Sequence, residues 1–405
     1  MTVPPDLANP AFWRLPRPDR LSAFAHLRSL GTPLRFGPGP GFYALVKHAD
    51  VREASRSPRH FASAPGVTTP EPAPWAKAVF GNSMVNMDGP EHAGLRAIVA
   101  RAFTPRLLAT AEQNIHSVAR RIVDEMIRDR PGDFVPAIAS RMPFEIICDL
   151  MGIPAHHRAD IARRIDEASE NVGVGRRRVR VPGRGLRALA HLQLVMARLA
   201  RERRRRPADD LISALVCADV DGSALNAREL GAFFSLLLVA GVETTRNAIA
   251  HGLALLTEHP AQRALLESDF DRYADGAVEE IVRHSTPIIQ FRRTVVAECE
   301  LGGRIFRPGE KVVLFYASAN RDAAVFENAD DFDITRDPNP HLGYGGGGPH
   351  YCLGAHLARQ EMKALFAELL TRPRGLRAVG AAELVDSSFD NRVRALPFAF
   401  DTAAG

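Results

Sequence analysis

The segment from residue 226 to residue 259, NARELGAFFSLLLVAGVETTRNAIAHGLALLTEH, contains no proline and constrains the fold more than any other stretch. As one helix it would be about 50 Å long. Residues 230–242 are apolar on every helix face apart from Ser235, whereas a surface helix is apolar on one face only. The apolar run is too short to span a membrane and ends at Glu243. We therefore predict a mainly α protein with a long helix through its core.

The overall composition is typical of a water-soluble globular protein. Of the 405 residues, 46% are hydrophobic and 24% are charged. The first twenty residues contain no long apolar run, so we expect neither a signal peptide nor a membrane anchor. The four cysteines lie far apart without C-x-x-C spacing, which indicates a reducing, cytoplasmic location rather than a disulfide framework.

Arginine carries most of the positive charge. The formal net charge is +5, and only four of the 52 basic residues are lysines. Two clusters stand out, residues 175–185 and residues 201–206. No recognisable nucleic-acid-reading module accompanies them, so we expect no nucleic-acid partner and interpret both clusters as solvated. A second interpretation of the 175–185 loop is that it guides an acidic substrate or carrier to the pocket mouth.

Short segments with strand character occur in two parts of the chain. Residues 33–36 and 42–47 are separated by the turn-rich GPGPG, which is typical of a hairpin. A second hairpin is predicted between residues 299–306 and 311–316, joined at RPGE. Residues 62–90 are rich in proline and glycine, and we expect a long loop that is functional or mobile.

Cys352 follows an unusual run of glycines. Gly345 to Gly348 precede it in GYGGGGPHYCLG, and apolar residues recur at helical spacing after it. We expect Cys352 in the first turn of that helix, where unpaired backbone amides favour a thiolate. Glycines allow backbone N–H groups to approach the sulfur or a flat ligand closely. The pattern suits a thiolate that binds a soft metal.

Two other interpretations of Cys352 remain open. A lone cysteine is most often a small, buried apolar residue. The other is a zinc site of Cys352 with His341, His350 or His356, although a second cysteine is missing and His350 lies too close in sequence.

The stretch GYGGGGPHYCLG resembles the haem-binding loop of the cytochromes P-450, in which a cysteine thiolate is the axial ligand of haem iron. The resemblance implies haem b as the cofactor, with its iron ligated by Cys352. The common motif has an aromatic residue seven positions before the cysteine, where this chain has Gly345. Tyr344 stands eight positions before it, as though one glycine were inserted. Glu280, Arg283 and Arg336 match a buried ion network of the same family.

Four cationic residues match the positions at which the family holds the haem propionates, namely His92, Arg96, Arg293 and His350. His92 and Arg96 are four residues apart and would share one helix face. Cationic donors suit carboxylates. Arg292 directly precedes Arg293, so the choice between these two arginines stays open.

The segment AGVETT, which begins at Ala240, resembles the oxygen-activating part of the family's long central helix. The resemblance implies that Ala240 is a cofactor-binding residue. Ala240 and Gly241 would leave room for a diatomic ligand. The resemblance makes Glu243 and Thr244 the catalytic residues that handle dioxygen and its protons. An alternative for Thr244 is a plain hydrogen bond to the carbonyl four residues earlier.

The resemblance also implies a substrate pocket lined by apolar and sulfur-containing side chains. These are Met84, Met87, Val239, Ile288, Ile289, Phe291 and Phe389. From the bare sequence, each of them is equally typical of an ordinary core position. Details of GVETTRN and HLGYGGGG look most like members that oxidise steroids or branched lipids. Members that tailor polyketides or terpenoids in natural-product biosynthesis look nearly as similar.

The motifs run from residue 92 to residue 352 and would meet at one haem, so we expect a single domain over residues 1–405. The implied fold is mainly α, the cytochrome P-450 helical prism with a small β-rich lobe. The implied function is a haem-thiolate monooxygenase that inserts one atom of O₂ into an apolar small molecule. Its electrons would come from a ferredoxin and a ferredoxin reductase. The alternatives are a peroxide-driven relative and a haem-binding sensor or carrier without turnover.

Overall fold

A computed structural model describes residues 6–64, 66–69, 83–169, 183–217 and 227–401 of the chain. Two segments singled out in the sequence fall partly outside these ranges. They are the basic loop, of which 175–182 is not described, and the proline-rich loop, of which 65 and 70–82 are not described. None of the helices within the described ranges combines the length and the hydropathy needed to cross a membrane.

Helices dominate the described part of the chain. The N-terminal half contains α1 (Arg17–Ser29), α2 (His48–Arg56), α3 (Gly89–Ala102), α4 (Pro105–Asp129), α5 (Arg141–Met151), α6 (Ala155–Ser169) and α7 (Gly183–Arg205). The C-terminal half contains α8 (Leu211–Val216), α9 (Ala227–Glu258), α10 (Pro260–Ser268), α11 (Phe270–Ser285), α12 (Tyr316–Ala319) and α13 (Ala355–Thr371). Single turns of other helix types occur at Phe12–Arg14, Met84–Asn86 and Val135–Ala139.

The strands are short and form one sheet of five strands and three pairs. In chain order they are β1 (Arg35–Phe36), β2 (Phe42–Leu45), β3 (Phe61–Ala62), β4 (Gln290–Val295), β5 (Cys299–Leu301), β6 (Arg304–Phe306), β7 (Lys311–Phe315), β8 (Arg377–Ala378), β9 (Glu383–Leu384), β10 (Val393–Ala395) and β11 (Phe398–Ala399). The large sheet has the order β1-β2-β7-β4-β3, with β2 parallel to β7. The pairs are β5 with β6, β9 with β10, and β8 with β11.

One predicted hairpin is confirmed and the other is wrong. β1 pairs with β2 in antiparallel orientation, as the GPGPG turn predicts. The second hairpin forms between β5 and β6, because Gly302 and Gly303 have φ of +60° and +75° and make a tight turn inside the expected first strand. β7 pairs instead with β2 and β4 in the large sheet.

The long helix predicted from the sequence is α9, and it runs through the core. Its first half packs with α5 and α7, and Phe234 and Leu238 there are fully buried. Its second half packs with α11 and α13, where Ile249 and Leu253 are no more than 1% exposed. The polar residues 243–247 lie between these two apolar clusters, so any partner for them must come from within the protein.

The predicted ion network is present and is centred on Arg283 of α11, whose side chain is wholly buried. Its Nε and Nη2 donate to the Glu280 carboxylate, each at 2.7 Å. Its guanidinium also donates to three main-chain carbonyls at 2.7–2.8 Å, those of Asn320, Ala329 and Asp331. Arg336 Nε lies 3.4 Å from Glu280. One cation thus connects α11 to the irregular chain between β7 and the glycine run.

Replacing Arg283 with Met should lower the free energy of unfolding by about 3–5 kcal/mol, because it leaves the Glu280 carboxylate buried without its partner. Urea unfolding followed by circular dichroism measures this loss. Arg272→Met is the matched control, since Arg272 lies exposed on the same helix and should change stability by less than about 0.5 kcal/mol. Equal unfolding midpoints for the two variants would contradict the role given to Arg283.

Candidate functional site

The glycine run allows the loop before Cys352 to lie directly against α2. Gly345, Gly347 and Gly348 have φ of +99°, +85° and +77°, a region that favours glycine. A Cβ atom on Gly346 would lie 2.4 Å from Ser55 Oγ, and one on Gly348 would lie 2.6 Å from the Ser55 carbonyl oxygen. Side chains at these positions would push the loop off the helix, so the glycines determine where the loop and Cys352 lie.

Cys352 lies before the helix rather than in its first turn, so that prediction is wrong. α13 begins at Ala355, and Gly354 at its N-cap has φ −89° and ψ +10°, outside the helical region. The Cys352 N–H donates to the Tyr344 carbonyl at 3.0 Å, which closes the glycine loop. The Cys352 side chain is accessible to solvent, but the protein atoms around the rest of it raise the pKa of the thiol. A hydrogen bond from the Gly354 backbone opposes this rise.

The zinc interpretation finds no support, because the three candidate histidines contact different partners. His341 Nε2 lies 2.8 Å from Glu279, His350 Nε2 lies 3.1 Å from the Ser63 hydroxyl, and His356 Nε2 lies 3.0 Å from Glu112. The described residues include no group of three or more His, Cys, Asp or Glu side chains arranged to hold a metal ion.

The four predicted propionate-binding residues come together beside Cys352. The His92 and His350 rings are in contact, with their planes tilted by 40° and their centroids 4.2 Å apart. Arg96 Nη2 donates to the carbonyl of Tyr351, directly before Cys352, at 2.7 Å. Arg293 is 4% exposed and acts electrostatically on His350. His92 and Arg96, four residues apart on α3, therefore lie in one cluster.

This cationic cluster has the electrostatics of an anion-binding site. Burial, with the charges of Arg293 and His92, lowers the pKa of His350 to about 4. Burial and the nearby Arg96 lower the pKa of His92. His92 Nε2 is buried and has no hydrogen-bond partner among the described residues. A carboxylate at this place would accept a hydrogen bond from that nitrogen and pair with the Arg96 and Arg293 guanidiniums, so these residues fit the carboxylates of a haem.

The structure distinguishes the two neighbouring arginines of β4. Arg292 Nε and Nη2 both donate to the Gly66 carbonyl, at 3.0 and 2.7 Å. Successive strand residues face opposite sides, and Arg293 accordingly turns to the cluster with His350. Arg292 thus holds the start of the proline-rich loop, and Arg293 is the cluster residue.

Asp88 and Ser63 also belong to this cluster, although the sequence did not predict them as site residues. The Asp88 carboxylate accepts the backbone N–H groups of Ser63 and Ala64 at 2.8 and 2.7 Å and lies 3.7 Å from His350 Nε2. The available signal was its place directly before Gly89 and Pro90, which is typical of a helix N-cap.

Open space borders α9 at the predicted dioxygen segment. Ala240 is exposed although Leu238 and Val242 on either side are buried. A Cβ atom on Gly241 would meet nothing within 4 Å. Thr244 Oγ1 donates to the Ala240 carbonyl at 2.7 Å, which is the bond expected under the simpler interpretation of this residue. The helix thus leaves room for a small ligand, and the Thr244 hydroxyl borders it.

Glu243 is buried and engaged by two arginines. Its Oε2 lies 2.7 Å from Arg246 Nη2, one turn further along α9, and 3.6 Å from Arg392 Nε. The side chains of Glu243 and Arg246 are 7% and 10% exposed. The carboxylate therefore forms part of a buried ion network that connects α9 to the C-terminal segment.

Four of the seven expected pocket residues fall into two groups in the structure, whereas Ile289 is an exception. Met84 and Met87 pack in the same cluster as Leu238 of α9. The Phe291 and Phe389 rings contact each other at 5.6 Å.

Ile289 is the exception, and its placement corrects the prediction. It is 1% exposed and packs in an N-terminal cluster with Trp13 and Phe315. Its half-buried neighbour Ile288 packs in a different cluster, together with Phe291, because adjacent residues of extended chain face opposite sides. The side chain of Val239 lies outside the described residues.

The sequence and the fold are both similar to those of known proteins. The family model of the cytochromes P-450 matches residues 189–373. The chain is 42% identical to a methyl-branched lipid omega-hydroxylase of Mycobacterium tuberculosis, over 97% of this chain and 94% of that protein. It is 35% identical to a steroid C26-monooxygenase of Mycolicibacterium smegmatis, over 87% of this chain and 82% of that protein.

A solved structure shares the whole architecture. It is a cytochrome P-450 of Mycobacterium marinum in complex with pseudoionone, with a TM-score of 0.89 and 41% sequence identity. The match covers 99% of this chain and 100% of that one. Identity at this level over nearly the whole length, together with the common fold, shows that the chain belongs to the cytochrome P-450 family, whose members are monooxygenases that bind haem b through a cysteine thiolate.

Proposed function

We propose that this monooxygenase hydroxylates the methyl-branched end of an apolar lipid. The observation that carries the proposal is the open space at Gly241, together with Met84 and Met87, which pack in the same apolar cluster as Leu238 and Val242 of α9. A polar substrate would lose its hydration there without compensating hydrogen bonds. The similarity to a methyl-branched lipid omega-hydroxylase supports the same substrate class, and that to a steroid C26-monooxygenase makes a steroid side chain the second candidate.

The haem supplies the activation of O₂ and the transfer of one oxygen atom, with two electrons from a protein donor. Cys352 provides the thiolate, and the glycine loop on α2 determines where that sulfur lies. We infer that His92, Arg96, Arg293 and His350 hold the propionates, with His92 Nε2 gaining the acceptor that it lacks among the described residues. The whole chain would then act as one domain around one haem.

Thr244 and Glu243 are proposed to handle protons in the open space beside Ala240. The Thr244 hydroxyl can rotate away from the Ala240 carbonyl and donate to dioxygen, because a hydroxyl is both donor and acceptor. Glu243 directly precedes it on α9, and its buried carboxylate is paired with Arg246. In this proposal, protons reach dioxygen by way of these two groups.

The electron donors are proposed to be a ferredoxin and its reductase. The chain carries a net charge of +5, which favours association with an acidic partner. All four cysteines are free, which supports a reducing compartment such as the cytoplasm.

Arg96→Ala should weaken haem retention, because it removes a charge-assisted contact worth about 1.5–3 kcal/mol. The ratio of haem to protein absorbance after gel filtration measures retention. Arg101→Ala is the matched control, since Arg101 is an exposed arginine at the other end of α3. Equal retention in the two variants would show that Arg96 does not hold the haem.

Thr244→Ala should leave haem content and substrate affinity nearly unchanged while product yield falls. The variant lacks the Oγ1 donor, so we expect NAD(P)H consumption to continue and the missing electrons to leave as hydrogen peroxide. Peroxide and product are measured against NAD(P)H oxidised, with Thr245→Ala as the comparison at a neighbouring buried threonine. Tight coupling of electrons to product in Thr244→Ala would rule out the proposed role.

The substrate proposal is tested with fatty acids matched in chain length, one methyl-branched at its end and one unbranched, beside a sterol and a polyketide. Because the branched end fills more of the apolar space, we expect the branched acid to give the largest substrate-induced spectral shift at the lowest concentration. Mass spectrometry should then find a terminal alcohol. Tighter binding of the sterol would favour the steroid alternative, and turnover of the polyketide alone would reject both.

A further inference from the structure

The C-terminal segment that carries Phe389 is bound to α9 by a stripe of polar residues. Glu243, Asn247 and His251 recur every four residues and therefore share one helix face. His251 Nε2 lies 2.9 Å from the Asn391 carbonyl, and Asn247 Oδ1 accepts the N–H of Val393 at 3.2 Å. All three side chains belong to residues that are no more than 5% exposed. The stripe thus determines how the segment docks on the helix.

Arg392 is the charged member of this contact. Its Nε lies 3.6 Å from Glu243 Oε2, and its Nε and Nη2 lie 3.1 and 2.9 Å from Asp390 Oδ2. The side chains of Arg392, Asp390 and Glu243 are 12%, 5% and 7% exposed. Arg392 therefore joins α9 to the residue that directly follows Phe389.

The other side of the segment is held by the chain that follows α11. Asn391 Nδ2 donates to the carbonyls of Ser285 and Thr286 at 2.8 and 2.9 Å. The Ile289 N–H donates to the Phe389 carbonyl at 2.8 Å. Since the Phe389 and Phe291 rings are in contact, these bonds make the two aromatic rings one wall.

We propose that Arg392 is a positioning residue that determines which substrate carbon is oxidised. By joining Glu243 to Asp390 it sets the distance between the Phe291–Phe389 wall and α9, and thereby the orientation of a substrate between them. The inference rests on the proposed function only in placing Phe389 at the substrate. Glu243 then has two roles. Its carboxylate is proposed to move protons, and through Arg392 it also holds the segment that carries Phe389.

The test uses the haem-loaded enzyme and two azoles that bind haem iron directly. Imidazole is too small to reach the wall, whereas 4-phenylimidazole places a ring in the substrate space. The variants are Arg392→Gln, which removes the charge, and Arg392→Lys, which retains it. Arg394→Gln is the matched control, because Arg394 lies in the same strand, pairs with Glu383 and has a side chain that is 62% exposed.

We expect Arg392→Gln to change the ratio of the two azole dissociation constants by at least about twofold, the lower end of coupling within one ionic network. The ratio of terminal to subterminal alcohols formed from the branched acid should change as well. Arg392→Lys should lie closer to the wild type in both ratios, and Arg394→Gln should match it.

An unchanged azole ratio in Arg392→Gln overturns the proposal, even if the thermal unfolding temperature falls, because the pair would then be merely structural. A shifted azole ratio with an unchanged alcohol ratio overturns it too, since regioselectivity is what is claimed. If the azole ratio shifts and the wild type hydroxylates none of the lipids, the substrate assignment fails, and the positioning role is judged by the product ratio from whichever of the sterol and the polyketide is turned over. Should Arg392→Gln not retain haem, Asp390→Asn, which removes the other charged partner of Arg392, is judged by the same criteria.

Discussion

The burial of α9 along nearly its whole length constrains everything around it. A helix that crosses a core must satisfy each polar side chain from within the protein, because water does not reach it. Glu243, Arg246, Asn247 and His251 are all at least 92% buried, and each has a partner on α9 or in the C-terminal segment. The polar break in an apolar helix therefore determines where that segment docks, through contacts with Asn391, Arg392 and Val393.

The cofactor side of the site depends on close backbone approach and on charge. The glycine loop can lie against α2 because Gly346 and Gly348 have no Cβ atom, which would collide with Ser55. This contact places His350 and Cys352 beside α3, where His92 contacts the His350 ring and Arg96 binds the carbonyl before Cys352. The buried guanidinium of Arg283 holds the chain that leads into the loop. Arg96 and Arg293 supply the positive charge of this cluster, and the carboxylates of a haem would neutralise it.

Elements that depend on local sequence properties were predicted correctly. The positions of turns, helix starts and side-chain faces were not. The helix at 226–259 is found at Ala227–Glu258, because its apolar run and lack of proline are local properties. The predicted position of Cys352 in the first turn of α13 was wrong, because Gly354 has non-helical backbone angles and the helix begins only at Ala355. The second hairpin was wrong because the turn of Gly302 and Gly303 is tighter than the one at RPGE. The prediction that Ile289 lines the substrate pocket was wrong. Alternation along extended chain tells which side a residue faces only when the neighbouring elements are known.

By itself, the sequence determined the fold family, the core helix and the chemical types gathered at the site, since periodicity, glycine content and motif spacing are written along the chain. It could not separate Arg292 from Arg293, show that Asp88 and Ser63 join the histidines, or connect Glu243 with Arg392 across 149 positions. Those contacts join residues far apart in the chain. Only the tertiary structure decides them, because a side chain meets its partner where packing, not sequence distance, places the two elements.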